Sequence, residues 1–317
     1  MRLLDKPKIV GTGLHRCGWP YVVDHIKRLD TGTGIVCDDF LEQTFTLLPH
    51  EEIPHLLQEQ PWIAIAHLPP AQVKPFMLTC FKEYADGKPG SVQALANLRG
   101  ICTMSNHLAD RFRQVCDTPV HVIPYPTRTD VHQFDMNGYL RRPTLLHVGW
   151  FFKNLLLLEH IAPNRHIKRK IQIESPCLPG DKGKQVKQHF ATHIYPERWL
   201  YGDVHYIHER LPDADYDSLL THSVIALEFM DCAATTVVVE GLARNAPMLL
   251  GRHEALFEYV GEDYPMFFDD VGECEQLLHP ANVFRTYNYL KALDKSFLQI
   301  DSFVSRFQEW VTHHETP

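Results

Sequence analysis

Short apolar runs alternate with amphipathic stretches along this chain, a pattern that predicts parallel sheets joined by crossover helices. In the first half the strand-like runs are Lys8–Leu14, Ile35–Cys37, Trp62–His67, Gly100–Met104 and Val120–Ile123. Helical periodicity falls at Tyr21–Leu29, Glu51–Gln58, Val73–Tyr84 and Asn106–Val115, and Ser105 stands where the last of these needs an N-cap. The stretch from Tyr125 to Pro143 is polar and irregular, and a new strand follows it, so a domain boundary is expected near residue 140. The second half repeats the alternation, with strands at Thr144–Val148, Lys170–Ile173, Val204–Ile207, Val224–Phe229, Pro247–Leu250 and Met266–Phe268. Tyr287, Leu290, Leu293, Phe297, Ile300, Phe303, Phe307 and Trp310 keep a helical period to the end.

Within that pattern, the segment from Val224 to Leu250 reads as strand, small-residue loop, helix and strand. Asp231, Cys232, Ala233, Ala234, Thr235 and Thr236 form the loop that opens the helix. Such a turn lets a ligand approach the backbone and offers unpaired N–H groups to an anion. Glu240 lies further along that helix among valines, where a carboxylate needs a partner. By analogy with acidic residues that hold ribose in other α/β folds, it is a candidate to hold the sugar hydroxyls of a nucleotide.

The run from Val237 to Leu250 resembles the donor-site pattern of glycosyltransferases with two Rossmann-like domains, the GT-B superfamily. His253 to Pro265 is similar to the ending of a microbial and viral branch with a GT4-like donor domain. Ile101–Ser105, Pro119–Pro126 and Thr144–Trp150 resemble three further passages of the superfamily, and all lie in the right order. The resemblance implies an α/β chain of two Rossmann-like domains facing across a cleft. Residues 1–140 would bind the acceptor and residues 141–295 the nucleotide sugar, with a C-terminal helix, residues 296–317, packing back on the first domain.

The resemblance also implies roles. Backbone N–H groups and hydroxyls at Ala234, Thr235 and Thr236 would receive a diphosphate, Glu240 the ribose, and Gly149 and Lys153 would follow the first strand of the donor domain. Lys153 would supply the cation that a departing diphosphate needs, with Lys182 and Lys184 as second candidates. Tyr206, or the loop from His208 to Leu211, would meet the base. On the acceptor side stand Gly13, His15 and Trp19, with His67 or Asp39 as general base and Asp231 as a further catalytic carboxylate. Retaining members carry a glutamate eight residues before the helix glutamate; here Cys232 stands at that position, with Asp231 beside it and Glu228 within the expected strand.

Composition narrows the choice. A length of 317 residues suits two domains, and 44% hydrophobic with 22% charged residues is ordinary for a globular protein. No apolar run approaches a membrane span, and the N-terminus lacks a signal-peptide core, so a cytoplasmic protein is expected. Eight cysteines without CxxC spacing read as buried thiols. The 20 histidines show no ligand spacing, so no metal site is expected. A net charge of −8 disfavours bulk capture of nucleic acid, leaving a modified base as a minority acceptor. The leading expectation is a metal-independent glycosyltransferase with a nucleoside-diphosphate sugar as donor substrate and no cofactor. A non-catalytic nucleotide-sugar-binding module or partner subunit, or another nucleotide-sugar enzyme such as an epimerase, shares the fold. A dehydrogenase fits least, because the GxGxxG frame is incomplete at Gly11-Thr12-Gly13.

Overall fold

The computed structural model describes residues 1–6, 18–47, 52–70, 81–174, 180–232 and 235–315. The expected strand Lys8–Leu14, most of the expected helix Val73–Tyr84, and Gly13, His15 and Ala234 lie outside the described residues. The chain divides into two compact units. One comprises Met1–Thr127, Cys232–Thr236 and Ser296–Pro317, and the other Arg128–Asp231 and Val237–Lys295.

In the first unit, strands β1 (Arg2–Leu3), β2 (Val36–Asp38), β3 (Trp62–Ile65), β4 (Leu98–Thr103) and β5 (Val120–Val122) lie side by side in that order, all parallel. Every residue of β2 and β3 is buried, as expected of a parallel sheet covered on both faces. Trp62 anchors the core beneath the covering helices, its indole donating to the Ala94 carbonyl at 2.6 Å and its ring stacking on Phe45. Ser105 caps the Asn106–Arg113 helix by accepting from the Leu108 N–H at 3.1 Å. The Ile300–Glu315 helix belongs to this unit and buries Phe303, Phe307 and Trp310, while Arg306 donates to the Val122 carbonyl of β5 at 3.1 Å.

The second unit holds β6 (Thr144–Val148), β7 (Arg169–Ile173), β8 (Val204–Ile207), β9 (Val224–Leu227), β10 (Met248–Gly251) and β11 (Phe267–Phe268). Their order is β11-β10-β9-β6-β7-β8, again all parallel. The chain runs outward from β6 to β8, returns to β9 beside β6, and runs outward the other way. That reversal is the topological switch point of a Rossmann-type sheet, and ligands of open α/β sheets bind beyond the carboxyl ends of the strands there. Among the described residues no helix is long and apolar enough to cross a membrane.

Candidate active site

The loops that follow β6 and β9 meet at the switch point. Gly149 leaves β6 with φ +79, a conformation that costs a side-chain-bearing residue strain, and its N–H donates to the Ile173 carbonyl at 3.1 Å. The turn brings Lys153 into an antiparallel bridge with Phe229, just past β9. Lys153 is buried, with its ammonium 5.7 Å from the centre of the Phe229 ring. The same ammonium folds over Gly149, where a Cβ would lie 3.0 Å from it.

Beneath this turn, Glu228 has a structural assignment. Expected inside a strand, it lies one residue past β9, which ends at Leu227. Arg198 donates to both its oxygens at 2.9 and 2.8 Å, and Asn154 donates to Oε2 at 2.6 Å. The Arg198 guanidinium is stacked 3.7 Å from the Tyr195 ring centre. A buried carboxylate with three such bonds is compensated, and it ties the loop after β6 to β9.

Asp231 is buried, and His253 Nε2 lies 3.6 Å from its Oδ1. His253 accepts from the Ala255 N–H through Nδ1 at 3.2 Å, which places a neutral ring's proton on Nε2, toward Asp231. Cys232 is buried beside it.

The helix starts at Thr236 and runs to Arg244. Thr235 and Thr236 are half-buried, and the Thr236 hydroxyl lies 3.3 Å from the Tyr125 hydroxyl. Glu240 is almost fully buried, and Tyr216 donates to its Oε2 at 2.8 Å. This partner answers the need that the sequence raised, and Glu240 does not face solvent. One turn on, buried Arg244 pairs with Asp217 at 2.7 Å and donates to the Glu240 carbonyl at 3.2 Å. Tyr206, a candidate for the base, donates to Glu159 and carries the Lys187 ammonium 3.9 Å above its ring, so both its hydroxyl and one face are engaged. Lys184 is exposed, and the Lys182 side chain lies outside the described residues.

In the first unit a second polar group gathers at the carboxyl ends of β2 and β3. Lys6 bonds Asp38 and lies 3.1 Å from Asp39. Burial alone would lower the Lys6 pKa, but the two carboxylates outweigh it and the value is raised. Trp19 donates its indole N–H to Asp39 Oδ2 at 3.4 Å. His67 Nε2 donates to the Asp39 carbonyl at 3.1 Å, with its ring between Trp19 and Phe40 at centroid distances of 4.3 and 4.2 Å. Burial pushes this imidazole down to about 3. The residue that sequence reasoning missed here is Glu42, 2% exposed, whose Oε1 accepts from the N–H groups of both His67 and Leu68 at 2.9 Å. Nothing in the hydrophobic pattern or in the family resemblance marked it.

No family model matches the sequence, and no curated protein matches it. Solved structures do. The chain is similar to sucrose-phosphate synthase from Thermosynechococcus elongatus, with a TM-score of 0.62 and 12% identity over 93% of this chain and 77% of that one. It is similar to a UDP-forming α,α-trehalose-phosphate synthase from Burkholderia vietnamiensis, with a TM-score of 0.58 and 10% identity over 93% and 76% of the two chains. The glycosyltransferase AviGT4 of avilamycin A biosynthesis gives a TM-score of 0.50 and 15% identity over 97% and 81%. With two parallel sheets, one of them in Rossmann order, and these structural likenesses, the chain has the GT-B fold of two Rossmann-like units.

Proposed function

We propose that this protein transfers a sugar from a nucleoside-diphosphate sugar to an acceptor hydroxyl, without a metal. The observation that carries the reading is the switch point of the second sheet, where buried Lys153, left-handed Gly149 and the loop into the Thr236–Arg244 helix follow β6 and β9. Helix N–H groups and a lysine ammonium suit a diphosphate, and buried Glu240 suits ribose hydroxyls. In this reading the bond between the anomeric carbon and the diphosphate oxygen breaks, and the nucleoside diphosphate leaves with the electron pair. Lys153 offsets the charge that develops on it. The acceptor oxygen bonds the anomeric carbon, and its proton passes to Asp39, the carboxylate held by Lys6 and Trp19. His67, with its Nε2 proton committed to the Asp39 carbonyl and its pKa near 3, orients that residue rather than serving as the base.

Two neighbours make phosphorylated disaccharides by name and one is UDP-forming, which supports starting with UDP-glucose and sugar-phosphate acceptors. The test is release of nucleoside diphosphate that depends on acceptor, followed with coupled detection. Asp39→Asn is expected to lower kcat by 100-fold or more while leaving donor affinity within about twofold, in line with general-base losses. Equal turnover in the variant would remove Asp39 from the chemistry. One observation favours the second reading, a nucleotide-sugar-binding module: Cys232 stands where retaining members carry their first glutamate. Donor binding without turnover on any acceptor would support it.

A further inference from the structure

Buried carboxylates ordinarily meet a cation, because removing the charge from water otherwise costs several kcal/mol. Glu42 is placed differently. It lies beyond the end of β2, just before the turn of helix Gln43–Leu47, and its carboxyl oxygens accept from two consecutive backbone N–H groups after β3, while burial raises its pKa to about 8. Oε1 accepts from His67 and Leu68 at 2.9 Å each, and Oε2 lies 3.2 Å from the His67 nitrogen. The loop so held carries the His67 ring, which wedges between Trp19 and Phe40 and donates to the Asp39 carbonyl at 3.1 Å. Displacing the His67 backbone would therefore move the ring and, through it, the Asp39 main chain.

We propose that Glu42 is a positioning residue of the acceptor side: its carboxyl group fixes the His67–Leu68 backbone, and His67 in turn fixes Asp39. The proposal rests on the transferase reading for its consequence in catalysis, but the positioning itself has a readout independent of turnover. The groups around it are Asp38, Asp39 and Lys6 at the β2 end and His67 at the β3 end. Lys6 is engaged by the two aspartates, so Glu42 depends on the N–H groups.

The experiment compares the full-length wild type with Glu42→Met, which keeps the length of the side chain but removes both accepting oxygens. Glu42→Asp is the second variant, keeping the carboxyl group but shortening the reach. Long-range proton–nitrogen NMR of the histidine rings and hydrogen exchange of the backbone are recorded on all three proteins. In the wild type the His67 ring holds a single tautomer with the proton on Nε2, and the His67 and Leu68 amides are protected. In either variant that folds, protection of these two amides falls at least tenfold and the His67 tautomers mix, while amides of the second unit do not change. An unaltered His67 tautomer and unaltered protection overturn the proposal. Turnover is then measured on the same samples. A raised acceptor KM in the variants, at unchanged donor affinity, joins the positioning to transfer. A wild type that binds no nucleotide sugar, with the His67 changes present, defeats the transferase reading and leaves the positioning role standing.

Discussion

His147 lies fully buried on β6, and neither ring nitrogen has a hydrogen-bond partner among the described residues. On the neighbouring β7 the Oε1 of its register partner, Gln172, likewise has no partner among the described residues. Burial pushes the His147 imidazole down to about 3, and the Lys153 and Lys187 ammonium groups push the same way. An unsatisfied buried polar group costs about 1–3 kcal/mol, so His147→Leu is expected to raise the melting temperature by a few degrees. The pH dependence has a definite sign. His67 and His147 fall to about 3 and His160 to about 4, whereas in the unfolded chain they return to about 6.5. Between those values the unfolded chain binds more protons, so each histidine withdraws stability as pH falls below 6.5, by up to about 1.4 kcal/mol per pH unit. Glu42, raised by burial from 4.5 to about 8, acts oppositely: its contribution is present at acid pH and is lost as pH rises toward 8. From pH 6.5 to 4.5 three histidines outweigh one carboxyl. The melting temperature should therefore fall on acidification, and less steeply in His147→Leu. Calorimetry across that range checks both statements; a parallel curve for the variant would remove His147 from the balance.

Among the elements, the turn after β6 joins a left-handed glycine to a buried ammonium in the candidate donor site. Gly149→Ala places a Cβ on a backbone at φ +79, at a strain of about 1 kcal/mol, and 3.0 Å from the Lys153 ammonium. The ammonium, at the end of a flexible chain, moves aside. The expected result is a melting temperature lower by only a few degrees, with nucleotide-sugar affinity reduced tenfold or more in titration calorimetry. Unchanged affinity would show that the placement of Lys153 over Gly149 is incidental. This turn was legible in sequence only as a glycine and a lysine after a strand. The strands themselves were easier to read: β6 and β8 match their expected spans, β6 as a mostly buried apolar run and β8 as a short, partly exposed edge strand. The Ser91–Asn97 helix was missed, since a left-handed glycine, Gly90 at φ +83, precedes it and its N-terminus has no side-chain cap to signal a start. Glu228 and Glu42 were unreadable for another reason. Their partners, Arg198 and the His67–Leu68 backbone, lie 30 and about 25 residues away, and periodicity carries no information on such pairings. Glu240 was legible because three consecutive valines around a helical carboxylate require burial, although Tyr216 as its partner was not.

For the molecule as a whole, two parallel sheets are one architecture with two separate polar strand ends. The second has a switch point and a buried ammonium suited to a charged, phosphate-bearing ligand; the first has Asp39 and Trp19 suited to hydroxyl groups. A net charge of −8 does not attract such a donor over distance, so in the proposed function its capture falls to local groups such as Lys153. Donor binding should accordingly weaken only mildly with salt, since few exposed charges take part. The most direct test is titration calorimetry of the purified chain with UDP-, GDP-, ADP-, CDP- and dTDP-sugars, beside Lys153→Ala. The expected result is binding of one nucleotide class, reduced at least tenfold in the variant while its melting temperature stays within a few degrees of wild type. Absence of binding by all five, or equal binding by Lys153→Ala, would contradict a donor site at the β6–β9 switch point.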